Sequence, residues 1–349
     1  MPHARLCRVT GNIRFELEVP RLTTMQDVAV RAGVSAKTVS RVYNDEANVS
    51  TATRTRVQQA MEQLNYVPNM LARTFREGRA SVVGIAVPDI ADPFFAAIIK
   101  AIDKQAQARG YTIAVTSLGF DESRERPVVE ALLRRQIDGL IVAPISADQS
   151  YLATWQSQSP IVFIDREPAN IEADIFVEDD KGGATDATNH LIGRGHRNIA
   201  FIGDSESVIT TRRRLEGYKD ALQAAGIAAR DNLVVLVEQD QASEQLLRLL
   251  AGPSAPTAVF SSNSRTSQAL FPTIQHLDPR SVALVSFGDF PMAAVLEPSI
   301  SVINQAPERL GRTAADRLFE RLDGPGHTPA ARTVFDVDLI ERTSSMFTV

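Results

Sequence analysis

Two basic side chains near the N-terminus are spaced to project from one face of a short helix. Lys37 and Arg41 lie one turn apart in the segment 36–43, whose Val39 and Val42 occupy the inward positions. Arginine and lysine side chains donate well to guanine O6 and N7. The pair could therefore read base edges if this helix entered a major groove.

Polar residues also follow several buried strands that the pattern predicts further along the chain. Ligands of open parallel sheets bind beyond the carboxyl ends of the strands. We therefore expect a small-molecule site where these ends meet. The residues at these ends are largely polar or acidic: Asp89-Ile90, Asp165-Arg166, Gly203-Asp204, Asn263 and Gly288-Asp289.

Three short helical patterns would position the basic pair. Thr24 is a candidate N-cap for the first helix, and Asp27 completes a near capping box. Gly33 supplies the left-handed turn that ends this helix. Ser35 and Ser50 are candidate N-caps for the second and third helices. Three helices with a glycine turn between the first two predict a helix-turn-helix domain.

The segments on either side of this domain are less regular. Residues 69–79 can form a helix but are too short to be stable alone in water, so they are interpreted as a linker. Residues 1–22 show no periodicity and are interpreted as a disordered extension, or as an over-long start with translation beginning at Met25.

From residue 80 onward, apolar strands alternate with amphipathic helices. Near-continuous apolar strands of this kind are covered on both faces, which is typical of parallel sheets in an α/β fold. The second part of the chain is therefore predicted to be an α/β unit.

Composition and charge restrict the class of protein. The chain has 349 residues and a net charge of −5, but residues 24–79 carry +3 and residues 80–349 carry −10. A basic head on an acidic body favours nucleic-acid contact confined to the head. Cys7 is the sole cysteine, which excludes an internal disulfide. Neither a secretory signal nor an apolar run of membrane-spanning length is evident, so we expect a cytoplasmic protein that does not enter a membrane.

Sequence motifs argue against an enzyme. No G-x-G-x-x-G follows a strand, and neither G-x-x-x-x-G-K-[ST] nor G-x-S-x-G occurs. The five histidines form no H-E-x-x-H motif or close pair for a metal. We therefore expect no catalytic residues, no metal and no cofactor.

The segment TTMQDVAVRAGVSAKTVSRVYN, residues 23–44, closely resembles the head of the lactose/galactose repressor (LacI/GalR) family. The family pattern A-x-x-A-G-V-S followed by x-x-T-V-S-R-V-x-N fits throughout. The resemblance implies that Ala36, Lys37 and Arg41 read bases, with hydroxyl and amide groups on phosphates. The DNA-contacting set in this domain is then Thr24, Ser35, Ala36, Lys37, Thr38, Ser40, Arg41 and Asn44.

The linker resembles the hinge helix of that family, which orders on DNA and inserts a leucine into the minor groove. The wedge position here holds Phe75 instead of leucine, and phenylalanine is also a known wedge. Ala72 would let two hinges approach closely, and Arg73 would meet phosphate. A plain flexible linker is the alternative for this segment.

The body resembles the family core, which is similar to periplasmic sugar-binding proteins. That resemblance implies two doubly wound parallel-sheet subdomains that close on a ligand, with three chain crossings between them. The expected boundaries are 23–68 for the helix-turn-helix domain, 69–79 for the hinge helix and 80–349 for the core. Within the core, the N-subdomain covers about 80–178 and 307–334, and the C-subdomain about 179–306 and 335–345.

The resemblance also places effector-binding residues. The family's first contact motif corresponds to Asp92-Pro93-Phe94-Phe95, and R-x-R-x-x-G-[FY] puts Arg214 in the cleft with Arg212 nearby. Two positions depart from the pattern, since Ser264 and Gly288 stand where the family has aspartate. The implied set is Asp92, Phe94, Phe95, Asp165, Arg166, Arg214, Asn263, Gly288, Asp289 and Gln305.

Losing two carboxylates removes strong acceptors for hydroxyl groups. The effector could then be an acidic or phosphorylated sugar, or a less hydroxylated compound, with Arg166, Arg212 and Arg214 carrying more of the binding. A small-molecule effector of the sugar or sugar-derivative type is expected in any case.

The resemblance implies a homodimer that binds a two-fold-symmetric, double-stranded DNA operator and acts as a repressor. Two other functions share parts of this organisation. A solute-binding transport protein would have the same body but would need a signal peptide and no basic head. A regulator that senses a protein partner would use a cleft that departs from the sugar-binding pattern.

Overall fold

The computed structural model describes residues 23–43, 48–64, 66, 81–277, 281–324 and 330–347. The chain divides into two compact units, residues 1–78 and 79–349. The expected N-terminal extension 1–22 and the expected hinge helix 69–79 lie outside the described residues.

The first unit contains three helices among its described residues. They are α1 (Met25–Ala32), α2 (Ala36–Tyr43) and α3 (Thr51–Gln63). Thr24 and Asp27 form the expected capping box, and Gly33 has a φ of 66°, in the left-handed region that L side chains rarely adopt. The Gly33 N–H bonds to the carbonyls of Ala29 and Val30 and so closes the helix.

The core of this unit is small and apolar. Val28, Val39 and Val57, one from each helix, are fully buried and pack together. The inward positions recur with helical periodicity, so each helix buries one stripe and leaves the other face in solvent. The three-helix arrangement that the sequence predicted is therefore confirmed.

The second unit is built on two six-stranded sheets. The first sheet has the order β11-β5-β4-β3-β1-β2, and every pairing in it is parallel. Its strands are β1 (Val82–Val87), β2 (Thr112–Ser117), β3 (Gly139–Val142), β4 (Ile161–Ile164), β5 (Asp174–Glu178) and β11 (Arg332–Phe335).

The second sheet has the order β12-β10-β9-β8-β6-β7. It is parallel except that β10 and β12 pair antiparallel. Its strands are β6 (Ile199–Gly203), β7 (Val234–Leu236), β8 (Ala258–Ser261), β9 (Ala283–Phe287), β10 (Ser301–Asn304) and β12 (Asp338–Ile340).

Helices cover both faces of each sheet. Alternate residues of β1 show this, because Val83 and Ile85 pack into one apolar cluster while Ala86 packs into another. The helices of this unit are α4 (Pro93–Ala108), α5 (Glu125–Leu133), α6 (Ala153–Gln156), α7 (Asp180–Gly193), α8 (Ile209–Ala224), α9 (Ala242–Leu250), α10 (Ser264–His276) and α11 (Pro307–Asp323).

The chain passes between the two sheets three times among the described residues. It leaves the first sheet after β5, returns after β10 so that α11 packs on the first sheet, and leaves again between β11 and β12. Each sheet with its helices forms one subdomain, and the strand order reverses direction in each at β1/β3 and β6/β8. Such reversal points are where α/β sheets bind ligands.

The antiparallel edge strand β12 differs from the parallel sheets expected from the sequence. The chain runs from β11 in the first sheet directly into β12 in the second, so no crossover helix separates them.

Replacement of Gly33 by alanine is expected to destabilise the helix-turn-helix unit by about 1–2 kcal/mol. The cost comes from backbone conformation, because a Cβ at Gly33 would meet no atom within 4 Å. Gly33→Asn is expected to cost less, since asparagine tolerates the left-handed region better. Amide hydrogen exchange of α1 and α2 in the full chain measures both variants. Equal protection in wild type and Gly33→Ala would contradict the argument.

Candidate functional site

The second helix of the first unit presents its basic residues to solvent. Lys37 and Arg41 are exposed, whereas Val39 and Val42 on the same helix are buried. Ala36 is half-buried against the core of the unit. The outward face of α2 therefore carries two long donors beside a small apolar side chain.

Hydroxyl groups at the helix starts are already used as caps. The Ser35 Oγ accepts from the Thr38 N–H at 3.1 Å and lies 2.9 Å from Thr38 Oγ1. Thr24 Oγ1 donates to Asp27 Oδ2 at 2.6 Å. The N-terminus of α1, capped by Thr24, and the N-terminus of α2, capped by Ser35, both face solvent. Helix N-termini attract phosphate groups through their unpaired N–H groups, so phosphate contact at Ser35, Thr38 and Thr24 stays a prediction consistent with this geometry.

Ser40 departs from the sequence expectation. Its exposed fraction is only 7%, because position 40 lies beside Val39 on the inward side of α2. Its hydroxyl is therefore less accessible than those of Ser35 and Thr38, and phosphate contact at Ser40 stays a prediction.

Four of the expected DNA contacts lie outside the described residues. They are Asn44, Ala72, Arg73 and Phe75.

In the second unit, the carboxyl ends of strands from both sheets meet at one cleft. Segments after β1, β3 and β4 line it from the first subdomain, and segments after β6, β8 and β10 line it from the second. Of the residues expected to bind an effector, the following line this cleft: Asp92, Phe94, Phe95, Asp165, Arg166, Arg214, Asn263 and Gln305.

Asp92 and Phe94 stand at the start of α4. The Asp92 carboxylate caps the helix by accepting from the Phe94 N–H at 2.9 Å, and Pro93 occupies the first helical turn. Burial raises the pKa of Asp92, and the neighbouring Asp165 adds to the rise. Phe95 is 5% exposed and packs in the core, so it contributes mainly packing while the half-buried Phe94 faces the cleft.

Asp165 and Arg166 follow β4 in a strained turn. Asp165 has a φ of 64°, and the Arg166 N–H bonds back to the Ile164 carbonyl at 2.6 Å. Backbone strain of this kind, about 1–3 kcal/mol, concentrates at binding sites. Arg166 lies 3.2 Å from the Asp165 carboxylate and donates to the Pro144 carbonyl. Burial raises the pKa of Asp165 against the opposing effect of Arg166.

Arg214 is fixed by contacts on three sides. Its Nε donates to Asp180 Oδ1 at 2.7 Å, and its Nη1 donates to the Ser262 carbonyl at 2.7 Å. The guanidinium carbon lies 3.8 Å from the centre of the Phe287 ring. Burial raises the pKa of Asp180 to about 6, even though Arg214 opposes the rise.

Asn263 and Asp204 are linked across two strand ends of the second subdomain. The Asn263 side chain caps α10 by accepting from the Thr266 N–H at 2.8 Å, and its amide nitrogen lies 3.4 Å from Asp204 Oδ2. The Thr211 hydroxyl donates to the other Asp204 oxygen. Asn263 therefore holds the Asp204 carboxylate at the cleft wall.

Gln305 joins the cleft to a buried carboxyl group beneath it. Its amide donates to Glu178 Oε2, while Glu178 Oε1 has no hydrogen-bond partner among the described residues. Glu178 is 3% exposed, and burial together with Asp165 and Asp180 raises its pKa to about 8. A group of this kind holds its proton at neutral pH.

Two expected effector contacts are placed differently. Asp289 turns away from the cleft and forms a two-pronged ion pair with Arg342, at 3.0 and 2.6 Å. Gly288 does not line the cleft, and its φ of 89° fits glycine. Arg212 is exposed and also lies outside the lining, because the helical turn that directs Arg214 inward directs Arg212 outward.

Several cleft residues were missed as binding residues by sequence reasoning. Asp89 and Asp204 were visible as strand-end residues, but nothing in the local pattern singled out the others. These are Phe120, Glu122, Glu238 and Arg265 in the lining, with Glu178 and Asp180 beneath it. Their roles depend on partners distant in the sequence, such as the pairing of Arg265 with Asp89 at 3.7 Å.

Within the described ranges, no group of three or more His, Cys, Asp and Glu side chains is arranged to hold a metal ion. No helix in the same ranges is both long and apolar enough to span a bilayer.

Comparison with known proteins identifies the family to which this chain belongs. Residues 24–69 match the family model for bacterial regulatory proteins of the lacI family, and residues 188–345 match a periplasmic binding protein-like domain. The transcriptional regulator GalR of Escherichia coli is 33% identical over 93% of this chain and 96% of its own length. The chain belongs to the LacI family. It is therefore a DNA-binding transcriptional regulator and not an enzyme, as the sequence predicted.

Other members of the LacI family agree over nearly the whole chain. The ribose operon repressor of Escherichia coli is 29% identical over 87% of this chain and 94% of its own length. A crystal structure of the lac repressor dimer bound to operator and an anti-inducer is 25% identical, with a TM-score of 0.77, and covers 94% of this chain and all of that one. The fold class predicted from the sequence, a helix-turn-helix domain with a periplasmic-binding-protein-like core, is confirmed.

The raised pKa of Glu178 predicts a pH-dependent cost to stability. The folded chain keeps the Glu178 proton up to about pH 8, whereas the unfolded chain releases it near the ordinary value of 4.5. Stability should therefore fall as pH rises between these values, by up to about 1.4 kcal/mol per pH unit from this group. Glu178→Gln removes this titrating group, so the fall in stability with rising pH should be smaller by the same amount per pH unit.

Urea unfolding between pH 5 and 8 measures the difference between wild type and Glu178→Gln. The exposed Glu216, replaced by glutamine, serves as the matched control and should leave the wild-type slope unchanged. Parallel stability profiles for wild type and Glu178→Gln would show that the carboxyl group titrates normally.

Proposed function

We propose that this chain is a repressor that binds a near-palindromic operator as a homodimer and changes its DNA affinity when a small molecule occupies the cleft. The observation that carries the proposal is the combination of an exposed Lys37–Arg41 face on α2 with a polar cleft between two α/β subdomains. Because its target is DNA, we propose that it acts in the cytoplasm.

The geometry of α2 supports base recognition by Lys37 and Arg41. Both side chains leave the same face of the helix and reach solvent. Each can donate to guanine O6 and N7, and the half-buried Ala36 can contact a thymine methyl. Ser35, Thr38 and Thr24 at the helix starts would hold phosphates and fix the register.

A dimer is proposed because one α2 helix reads only a few base pairs. Two copies related by a two-fold axis would read half-sites one helical turn apart. The lac repressor structure in the comparison is a dimer on its operator, which supports the same arrangement for this chain. Contacts by Asn44 and by the hinge residues Ala72, Arg73 and Phe75 remain predictions from family resemblance.

The effector is proposed to act by closing the cleft. Asp92 and Asp165 belong to the first subdomain, while Asp204 and Asn263 belong to the second. A ligand that contacts both sides binds the closed form better and shifts the population toward it. Effector and operator must then alter each other's affinity by the same factor. The expected effector is a sugar or sugar derivative.

Selection of bound sequences from random DNA by the purified full chain tests the proposal. We expect enrichment of a near-palindrome with half-sites about 10 base pairs apart. A chain lacking residues 1–79 serves as the control and should enrich nothing. Enrichment of unrelated sequences, or equal enrichment by the truncated chain, would overturn the assignment.

Single replacements on α2 should reduce operator affinity. Lys37→Ala and Arg41→Ala are each expected to cost about 1–3 kcal/mol and to relax the sequence preference at one position of each half-site. Lys104→Ala, which removes an exposed lysine from α4 in the second unit, provides the matched control. Fluorescence anisotropy with the selected operator and with point-substituted operators gives both readouts. A uniform loss across all operators would assign the side chain to phosphate instead.

A further inference from the structure

The cleft proposed as the effector site has an excess of negative groups. Six carboxylates and three guanidinium groups line it, and neither lysine nor histidine is among the lining residues. The acidic lining residues are Asp89, Asp92, Glu122, Asp165, Asp204 and Glu238. The basic lining residues are Arg166, Arg214 and Arg265.

Every arginine of this lining already has a carboxylate partner. Arg214 lies 2.6 Å from Asp180 and is the most buried of the three. Arg166 lies 3.2 Å from Asp165. Arg166 Nε is the atom that faces Asp165, and it is buried without a hydrogen bond within the described chain. Neither guanidinium offers a net positive charge that an anionic ligand could neutralise.

Arg265 is paired more loosely, and its ring contact is informative. It lies 3.7 Å from Asp89, donates to Gln239, and its guanidinium carbon lies 4.9 Å from the centre of the Phe120 ring. Phe120 is 55% exposed although it lines the cleft. An aromatic face of this kind attracts cations, so the ring and the carboxylates favour the same sign of charge.

Two inner carboxylates have no ion-pair partner within the described ranges. Asp92 stands at the start of α4 in the first subdomain, and Asp204 follows β6 in the second. Asp92 Oδ1 accepts from the Phe94 N–H, and Asp204 accepts from Thr211 and Asn263. These neutral donors hold the carboxylates in place, and the nearby cation that acts on Asp92 is Arg265, which is itself paired with Asp89.

A buried carboxyl group beneath the cleft adds independent evidence of an unmet polar partner. Glu178 is 97% covered and bonds to the cleft residue Gln305, yet its Oε1 has no hydrogen-bond partner in the described chain. An unpaired buried polar atom costs about 1–3 kcal/mol. Gln305 is therefore bonded to a carboxyl group whose Oε1 could form a hydrogen bond with a ligand or with a water molecule bound to it.

We propose that the effector is an organic cation, a hydroxylated small molecule with a protonated nitrogen such as an amino sugar or imino sugar, which lies between Asp92 and Asp204. This inference rests on the proposed function. The nitrogen would neutralise the two unpaired carboxylates, and hydroxyl groups would meet Arg166, Asn263 and Gln305. Because Asp92 and Asp204 belong to different subdomains, one cation would draw them together and stabilise the closed cleft.

The charge of the lining reverses an expectation drawn from the sequence. The absence of aspartate at positions 264 and 288 suggested an acidic or phosphorylated sugar, bound in part by Arg212. Arg212 is exposed and lies outside the cleft. Arg166 and Arg214, which do line the cleft, are each paired with a carboxylate. An anion would therefore enter a cleft whose unpaired charges are all carboxylates.

Sugars that share one pyranose scaffold and differ in charge through a single substituent test the proposal. Isothermal titration of the full chain compares D-glucosamine, D-glucose and D-glucuronate, then the corresponding galactose series, with 1-deoxynojirimycin as an imino sugar. Thermal unfolding with the same compounds gives a second readout. We expect the cationic compounds to bind at least about tenfold tighter than their neutral partners, which is about 1.4 kcal/mol. Tighter binding of a neutral or anionic member would overturn the inference while leaving the effector cleft intact.

Variants connect the charge preference to the two carboxylates. Asp92→Asn and Asp204→Asn keep the shape and, at position 92, the helix cap. Each is expected to weaken binding of the cationic compound at least about tenfold and to weaken binding of the neutral partner by a clearly smaller factor. Asp186→Asn, at an exposed position of α7, is the control and should match wild type. Equal affinity of wild type and both cleft variants would overturn the inference.

Failure of the proposed function would look different. If no compound of any charge changed either the unfolding temperature or the affinity for the selected operator, the regulated cleft itself would be contradicted, and this inference with it.

Discussion

The buried guanidinium of Arg214 is the interaction on which the cleft depends. It bonds to Asp180 and to the Ser262 carbonyl and lies against the Phe287 ring, so one side chain ties the start of α7 to two strands of the second sheet. Its positive charge also acts on Asp165 and Glu178 of the first subdomain. Several carboxyl groups are buried within reach of this one cation, which offsets part of a desolvation cost that each would otherwise meet alone.

This arrangement explains why the cleft can be acidic without being unstable. Burial raises the pKa of Glu178 to about 8, so this carboxyl group beneath the cleft is neutral at physiological pH. Asp180 is compensated directly by Arg214. The negative charge that remains is carried by residues at the cleft wall, where water or a ligand can reach it.

Features determined by local chemistry were predicted well from the sequence. The capping box of Thr24 and Asp27, the left-handed Gly33 and the cap at Ser50 all depend on residues within one helical turn, and each is present. Periodicity over short windows also predicts the strands and helices from β1 to β9, except the strand β5 and the short helix α6. The cleft location followed from a general rule about the carboxyl ends of parallel strands.

The charge and hydrogen bonding of the cleft could not be predicted in the same way. Asp289 has a strand-end position that suggests a ligand contact, but Arg342, 53 residues later, captures it. Glu178 and Gln305 meet across 127 residues. Ser40 has a suitable hydroxyl, but the packing of three helices covers it. Such outcomes depend on which distant residues fold next to each other, and a single sequence does not contain that information in a local pattern.

The glycine at position 288 constrains how the binding specificity of this protein can change over evolutionary time. An added Cβ there would lie 2.7 Å from Gln305 Oε1, and the backbone φ is 89°. Gln305 cannot yield without breaking its bond to Glu178. Introducing an aspartate at this position is therefore not a one-step mutation, since Gln305 and the Glu178 contact must change first. The effect of a substitution at position 288 therefore depends on the residues at positions 305 and 178.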